Sequence, residues 1–409
     1  MAPRICLLTE SFHPKIGGGE THARLLSAVL VRRGVPVFIL TQRQLRSWPR
    51  VDEVDGVPVR RVGVPGSARF GKFLMMPAAL LALLRWRREY DIIYVCGFRT
   101  LGPIAVLLSL TTGCRCVLRA ESLEELSGAD TLRKFRRGMM RRTAFFILAM
   151  RNALIRRADR FLSISSVIKQ EFLEYGVPPE RIVSIKNGID VRRFSPVSLA
   201  GKMELRRRLD LPDGLLCTYT GKLNRMKGLE MLLRAWQRLV ARHAEFHLVL
   251  VGSGANQFLS CEDELRAFVR DNDLERSVTF TGAVGNVHEY LNASDLFVFP
   301  SETEALPISL IEALASGLVI VASRAGGIAD VVDDGVNGRL IEVGDEEGLV
   351  AAIEDLVRHT EIGERFAQAA RTKAVEVFGI DAVAEAHERL FRSLIEPPAV
   401  APAVDYASE

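Results

Sequence analysis

PSETEALPISLIEALASGLVIVASRAGGIADVVDDGVNG, residues Pro300–Gly338, is the stretch from which the rest of this 409-residue chain is read. An apolar run ends at Pro300, a polar loop carries Glu302 and Glu304, and a helical pattern opens near Pro307. Proline suits the first helical position, where its missing N–H would have had no partner. The unpaired N–H groups of Ile308 and Ser309 then face any anion seated at the helix start. Glu304 stands just before that start, and Glu312 lies about one and a half turns inside the helix. Two carboxylates thus flank a phosphate-sized site. Taken alone, they read equally well as one solvated loop charge and one helix-face charge.

Outward from this stretch the pattern is strand, loop, helix, repeated. Arg4–Thr9 is a short buried-strand run, followed by the turn Gly17–Gly19 and an amphipathic helix from about Glu20 to Arg33, closed by Gly34. Pro36–Thr41, Asp91–Cys96 and Arg115–Ala120 are further strands. The pattern breaks around Ser195–Lys202. A second series follows: strand Leu216–Thr220, helix Leu229–Arg242, strand His247–Gly252, then strands near Val278–Thr281, Leu296–Pro300 and Val319–Ala322. Alternation of this kind predicts parallel sheets covered on both faces by helices.

At about 150 residues per domain, the length predicts two to three domains. Apolar residues at 48% and charged residues at 25% describe a globular protein with a large core. The six cysteines show no metal-ligand spacing, which predicts reduced thiols in a cytoplasmic protein. No signal peptide is read at the N-terminus. The apolar runs Phe73–Leu84 and Thr143–Met150 are shorter than the roughly 18–20 residues that span a bilayer. The net charge of +4 is unevenly spread: residues 1–200 hold 33 Lys and Arg against 16 Asp and Glu, and the remainder 21 against 34. A basic half suits nucleic acid, an anionic membrane or phosphorylated ligands, or simply attracts an acidic second lobe.

Three further places carry chemistry. Lys222 and Lys227 lie in a loop between a strand and a helix, where two ammonium groups can neutralise a diphosphate and the charge growing on a departing group, or are simply two surface lysines. Gly17–Gly19 form a strand-to-helix turn that either admits a ligand close to the backbone or is merely tight. It is not the fingerprint G-x-G-x-x-G, because Glu20, Thr21 and His22 break it. At the strand end VLRAES (Val117–Ser122), Glu121 either pairs with Arg119 or acts on a substrate, stabilising positive charge, binding a hydroxyl or serving as a base.

In this order and spacing the motifs resemble those of the family-4 retaining glycosyltransferases, and nearly the whole chain is covered. Glu304 and Glu312 match the family's E-x7-E motif, followed by Gly326-Gly327, Asp334-Gly335 and Asn337-Gly338. GGGETH (Gly17–His22) resembles its glycine loop, KNGID (Lys186–Asp190) with Arg193-Phe194 its pre-linker segment, and GKLNRMKG (Gly221–Gly228) its basic loop. Tyr290–Ser301 resembles the strand region before the glutamates. The resemblance implies the α/β fold called GT-B, two doubly wound Rossmann-like domains facing each other across a cleft. It implies an acceptor-binding domain over residues 1–195, a donor-binding domain over 196–378, and a last helix, about 380–396, crossing back onto the first. Residues 397–409, rich in Pro and Ala, read as a disordered tail.

The reaction implied moves a sugar from a nucleotide-diphosphate sugar, a UDP- or GDP-sugar, to an acceptor hydroxyl, with retention and with no metal or further cofactor. Glu312 holds the nucleotide ribose and Glu304 the donor sugar. Lys222 and Lys227 hold the diphosphate with the helix start of Leu306, Pro307 and Ile308. Gly18, Gly19 and Val284 complete the donor-binding set. Glu121, Lys222, Lys227 and Glu304 form the catalytic set. Two departures stand out: the family usually has arginine at Lys222, and histidine at Glu121. A GT-B epimerase or phosphorylase, or a non-catalytic nucleotide-sugar-binding protein, is the alternative.

Asp271-Asn272-Asp273 fits the D-x-D metal motif of another glycosyltransferase fold, but follows a helical pattern and reads as a loop. The seven histidines are scattered and imply no metal site. From Arg133 to Arg160 there are ten basic residues and one acid, Asp159, around the apolar stretch Ala144–Met150. This is either an interfacial helix on an anionic membrane or a domain helix with solvated arginines. The acceptor expected is a carbohydrate, lipid-linked or anionic, met by a peripheral protein at the cytoplasmic membrane face. No nucleic-acid-binding module is recognisable.

Overall fold

The computed structural model describes residues 2–15, 17–63, 65, 71–129, 139–255, 257 and 259–396. The chain divides into two units, each with its own sheet. The first takes the residues up to Ser163, Glu171–Ile185 and those from Ala384 onward; the second takes Ile164–Gln170 and Lys186–Val383. The tail from residue 397 lies outside the described residues, as do Arg133, Lys134, Arg136 and Arg137.

The first sheet contains β1 (Ile5–Thr9), β2 (Val37–Gln42), β3 (Val51–Val54), β4 (Val57–Val62), β5 (Ile92–Cys96), β6 (Arg115–Arg119), β7 (Arg160–Ser163) and β8 (Ile182–Ser184). Their order is β3-β4-β2-β1-β5-β6-β7-β8. Every neighbour pair is parallel except β3 and β4. The central strands β1, β2 and β5 are buried along their whole length, as continuous apolar runs in a parallel sheet require. The β3–β4 hairpin at the edge turns on Asp55 and Gly56, both at positive φ (52° and 78°). An Asp-Gly pair is the residue choice such a turn demands. That signal stands in the sequence, although the helix–strand alternation does not include the hairpin.

In the second unit β9 (Leu216–Thr220), β10 (His247–Val251), β11 (Val278–Gly282), β12 (Leu296–Phe299), β13 (Val319–Ser323) and β14 (Arg339–Ile341) form an all-parallel sheet in the order β11-β10-β9-β12-β13-β14. Helix Leu229–Val240 shows the packing logic. Leu229, Leu232, Leu233, Trp236 and Leu239 are buried on one side, and Trp236 Nε1 donates to the Ser277 carbonyl at 3.1 Å. On the other side Arg234 pairs with Glu346 at 2.9 Å. Burial of each large apolar side chain contributes about 1.5–3 kcal/mol.

The break read at Ser195–Lys202 contains the start of a helix, Leu199–Arg208, capped by the Ser198 hydroxyl, which accepts from the Gly201 N–H at 3.2 Å. Its Arg206 is buried and donates to the carbonyls of Ala293 and Gly214 and to Asp295, the last at 2.6 Å. The last helix, Ile380–Ile395, carries its residues from Ala384 into the first unit. There His387 Nε2 lies 3.0 Å from the Tyr94 hydroxyl, Glu388 pairs with Arg33 at 2.9 Å, and the Leu394 carbonyl accepts from Arg115. Asp271 ends helix Glu262–Asp271, and the D-x-D residues continue into a turn where Asp273 has φ 55°.

Arg206→Leu leaves the buried Ala293 carbonyl without its donor and takes one of two cations from Asp295, so we expect a loss of about 1–3 kcal/mol in urea unfolding. An unchanged midpoint would show that the buried guanidinium is not holding this corner.

Candidate functional sites at the two strand-order switch points

In an open parallel sheet, ligands bind where neighbouring strands send their connections in opposite directions. In the first sheet that point lies between β1 and β5; in the second it lies between β9 and β12. Candidate residues read from the sequence gather at both.

In the first unit a cavity of about 350 Å³ opens beyond the ends of β1, β5 and β6. Thr9, Ser11, Glu20, Cys96, Arg99 and Glu121 are among its lining residues. Glu121 accepts from the fully buried Arg119 at 2.9 Å, so the pairing read in the sequence is real. Its carboxylate is seated against glycine backbone. A Cβ on Gly19 would lie 2.5 Å from Glu121 Oε2, and one on Gly97, at φ 74°, would lie 3.3 Å from it. The bareness of Gly19 therefore makes room first for Glu121. Burial pushes the Glu121 carboxyl up to about 7, Arg119 opposing the shift and the neighbouring Glu125 and Glu20 adding to it.

Glu125 was not singled out by the sequence reading, yet it organises the wall. Its carboxylate accepts from the N–H groups of Phe98 and Glu121 at 2.8 Å and of Ser122 at 3.0 Å, tying the start of helix Phe98–Thr112 to the turn that carries Glu121. An acid four residues past a strand-end acid was the available signal. Glu20 accepts from the Ser11 hydroxyl. Cys96 lines the cavity, and burial pushes its thiol up to about 12, which keeps it protonated at neutral pH. Gly18 is exposed at the start of helix Gly18–Arg32.

In the second unit the loops after β9 and β12 are knitted together. The N–H of Glu302 donates to the Met226 carbonyl at 3.0 Å. Gly228, at φ 65°, lies so near Pro300 that a Cβ would come within 2.0 Å of its carbonyl oxygen. Lys227 and Glu304 are ion-paired with each other, and the Ser301 hydroxyl donates to Glu304 at 2.8 Å. Lys222 is exposed and has no ion-pair partner among the described residues. The Thr220 hydroxyl, at the end of β9, is buried without a hydrogen-bond partner among the described residues. Gly326-Gly327 press on the loop from outside, and the Gly327 N–H donates to the Glu304 carbonyl at 2.9 Å. A Cβ on Gly327 would sit 1.9 Å from the Ala305 oxygen.

The helix after this loop runs Ile308–Ala315, with Pro307 as its N-cap at ψ 116°, not its first helical residue as the proline rule suggested. The first-turn N–H groups, from Ile308 on, still open at that end. Leu306 is buried, and its carbonyl accepts from Asn187 at 3.2 Å. Lys186 pairs with Asp330 at 2.5 Å, so the Lys186–Asp190 motif pins this corner. Glu312 has no hydrogen-bond partner for its carboxylate among the described residues; burial pushes it up to about 8, and the Arg193 charge opposes the shift. Arg193, also unremarked as a site residue in the sequence, donates to the Gly285 carbonyl at 2.9 Å. Neighbouring Val284 is half-buried and packs its side chain on the cluster of Leu211, Leu216, Val249, Val251 and Ala293.

Two α/β units with predominantly parallel sheets, each with polar residues at its switch point, have the GT-B architecture. Residues 17–188 match the family described as glycosyl transferase 4-like domain, and residues 214–359 the family described as glycosyl transferases group 1. The chain belongs to these GT-B glycosyltransferases. It is 25% identical to D-inositol 3-phosphate glycosyltransferase of Kineococcus radiotolerans, over 93% of this chain and 91% of that one. Among solved structures, sucrose-phosphate synthase of Thermosynechococcus elongatus superposes with a TM-score of 0.79 at 22% identity, covering 96% of this chain and 99% of that one. HepE of Anabaena in complex with UDP and glucose gives 0.76 at 20% identity, covering 96% and 100%.

The raised Glu312 carboxyl has a thermodynamic signature. A carboxyl whose folded pKa lies above its ordinary 4.5 contributes stability that is fully present below 4.5 and lost as pH rises through about 8. Glu312→Gln, a mimic of the protonated acid, is expected to match the wild type at pH 5 and to melt about 2–5 °C higher at pH 9. Equal melting temperatures at both pH values would show that the carboxylate is not desolvated.

Proposed function

We propose that this glycosyltransferase moves a sugar from a UDP- or GDP-sugar to a hydroxyl of a carbohydrate acceptor carried on a lipid, with retention of configuration and without a metal. The observation that carries the donor half is Glu312: a carboxylate without a hydrogen-bond partner among the described residues, one turn beyond the start of its helix, is arranged to accept hydroxyls from a bound ligand. The ribose of a nucleotide supplies two such hydroxyls, and its diphosphate meets the helix start. HepE of Anabaena is named as binding UDP and glucose, which supports a nucleotide-sugar donor of the uridine kind.

In this reading the exposed Lys222 ammonium and Lys227 offset the diphosphate charge and the negative charge that grows as the sugar departs. Lys227 exchanges part of its pairing with Glu304 for phosphate, which frees Glu304 for the hydroxyls of the donor sugar. Leu306, Pro307 and Ile308 offer backbone N–H at the diphosphate, proline excepted, and the backbone at Val284 borders the base. Glu121 takes the acceptor proton, a role suited to a carboxyl near pH 7. Retention is supported by the match of Glu304 and Glu312 to the retaining family's motif. Reduced, buried cysteines support a cytoplasmic protein, peripheral on the membrane through the basic segment Arg133–Arg160.

Calorimetric titration with UDP, GDP and ADP tests the donor site. One nucleotide is expected to bind the wild type and to lose at least about tenfold in affinity with Glu312→Ala, a loss of about 1.4 kcal/mol. Binding of none of the three would remove the donor assignment. Transfer by the wild type should rise with pH through about 7, following ionisation of Glu121, and Glu121→Gln should flatten that limb and slow transfer by about 10²-fold or more. An unaltered rate in Glu121→Gln would show the carboxylate is not the base, and an epimer or sugar phosphate formed without acceptor would favour another GT-B chemistry.

A further inference from the structure

Three helices of the first unit lie on one side of its sheet: Gly71–Arg85, Phe98–Thr112 and Met139–Ile155. They connect β4 to β5, β5 to β6 and β6 to β7, and all three steps run in the same direction along the strand order. Right-handed crossovers in one direction place their helices on the same face of a sheet. Phe98–Thr112 packs against both of the others. The step from β1 to β2 runs the opposite way, and its helix Gly18–Arg32 takes the other face, where His22 meets His387 of the last helix.

The outer sides of the three helices are apolar and not covered by any of the described residues. Leu81 is 69% exposed, Leu107 and Leu110 are about half exposed, and Phe145, Phe146 and Ile147 are 60% exposed or more. A soluble surface rarely leaves so many large apolar side chains together without a partner. The charge of the face is equally one-sided. The three helices contain no aspartate or glutamate, and Arg85, Arg141 and Arg142 are exposed on them. The last helix, on the opposite face, mixes both signs, its Glu385 and Glu388 pairing with Arg389 and Arg392.

We propose that this three-helix face seats the protein on an anionic bilayer, with the leucines and phenylalanines entering the interface and the arginines meeting lipid phosphates. The charge pattern selects this occupant. A second copy would bring cation against cation, whereas anionic lipid supplies both an apolar layer and the missing negative charge. Among the described residues no helix is long and apolar enough to cross a membrane, so the contact is interfacial. The surface is wider than the arginine-rich segment around Arg133–Arg160, because two of its three helices lie outside that segment. The inference deepens the reading of a lipid-linked acceptor and rests on that reading for its purpose, since the first unit would then stand where such acceptors are held.

Co-sedimentation of the full chain with vesicles of phosphatidylglycerol and phosphatidylcholine in equal parts, and with phosphatidylcholine alone, tests it. The wild type should pellet with the anionic vesicles at least about tenfold more tightly than with the neutral ones. Leu107→Ser with Leu110→Ser should weaken that binding by about tenfold, although neither residue belongs to the arginine-rich segment. Arg141→Gln with Arg142→Gln, which leaves the apolar face intact, should remove most of the preference for anionic lipid. Absence of binding by the wild type, or leucine variants that bind as it does, would overturn the proposal. So would a wild-type dimer that the leucine variants dissociate. Nucleotide titration on the same samples separates the two readings: vesicle binding without nucleotide binding keeps the surface and removes the donor site, and the reverse keeps the enzyme and removes the surface.

Discussion

A parallel strand buried on both faces can present polar chemistry only at its ends. In the first sheet β1, β2 and β5 are buried from end to end, and in the second β9, β10 and β12 are the same. Each unit therefore gathers its charged groups beyond the strand ends, where helix starts leave N–H groups open. Everything else follows from satisfying those groups. Glu125 does it inside the first unit by accepting from Phe98, Glu121 and Ser122, so the strand-end loops hold one shape. In the second unit the start of Ile308–Ala315 has no such internal acceptor from its own cap, because Pro307 offers no side-chain oxygen. One helix start is thus closed by protein and the other left open.

The same burial that shapes these ends sets their acid–base character. Burial pushes Glu121 and Glu312 above an ordinary carboxyl, to about 7 and about 8, with one arginine opposing each shift. Glu304 has a lysine ion-paired to it and a serine hydroxyl donating to it. Carboxylates of one chemical type are thereby given different tasks by their neighbours, a division that ligand binding can exploit.

The glycines illustrate how sequence and structure divide the explanation. Gly19 and Gly97 border Glu121, while Gly228, Gly326 and Gly327 allow the backbone of one loop to lie on the carbonyls of another. Read alone, Gly17–Gly19 and Gly326-Gly327 announce close approach, but not of what. The partner turned out to be the protein itself: a carboxylate in the first unit, the Glu304 and Ala305 carbonyls in the second.

The sequence by itself determined the alternating strands and helices and the second series beginning at Leu216, because period and turn residues act locally; Glu304 and Glu312 stood out only through a family resemblance. Boundaries moved by a residue or two: β2 is Val37–Gln42, and the helix expected from Pro307 begins at Ile308. Only the tertiary structure decided that Lys227 and Glu304 pair, that Glu125 accepts from the turn carrying Glu121, that Arg193 donates to the Gly285 carbonyl, and that the Asp55-Gly56 hairpin edges the first sheet. It also decided that leucines of two further helices share a face with Phe145 and Phe146. These depend on which strands are neighbours and in which direction each crossover steps, and strand order is a long-range property that no local periodicity encodes.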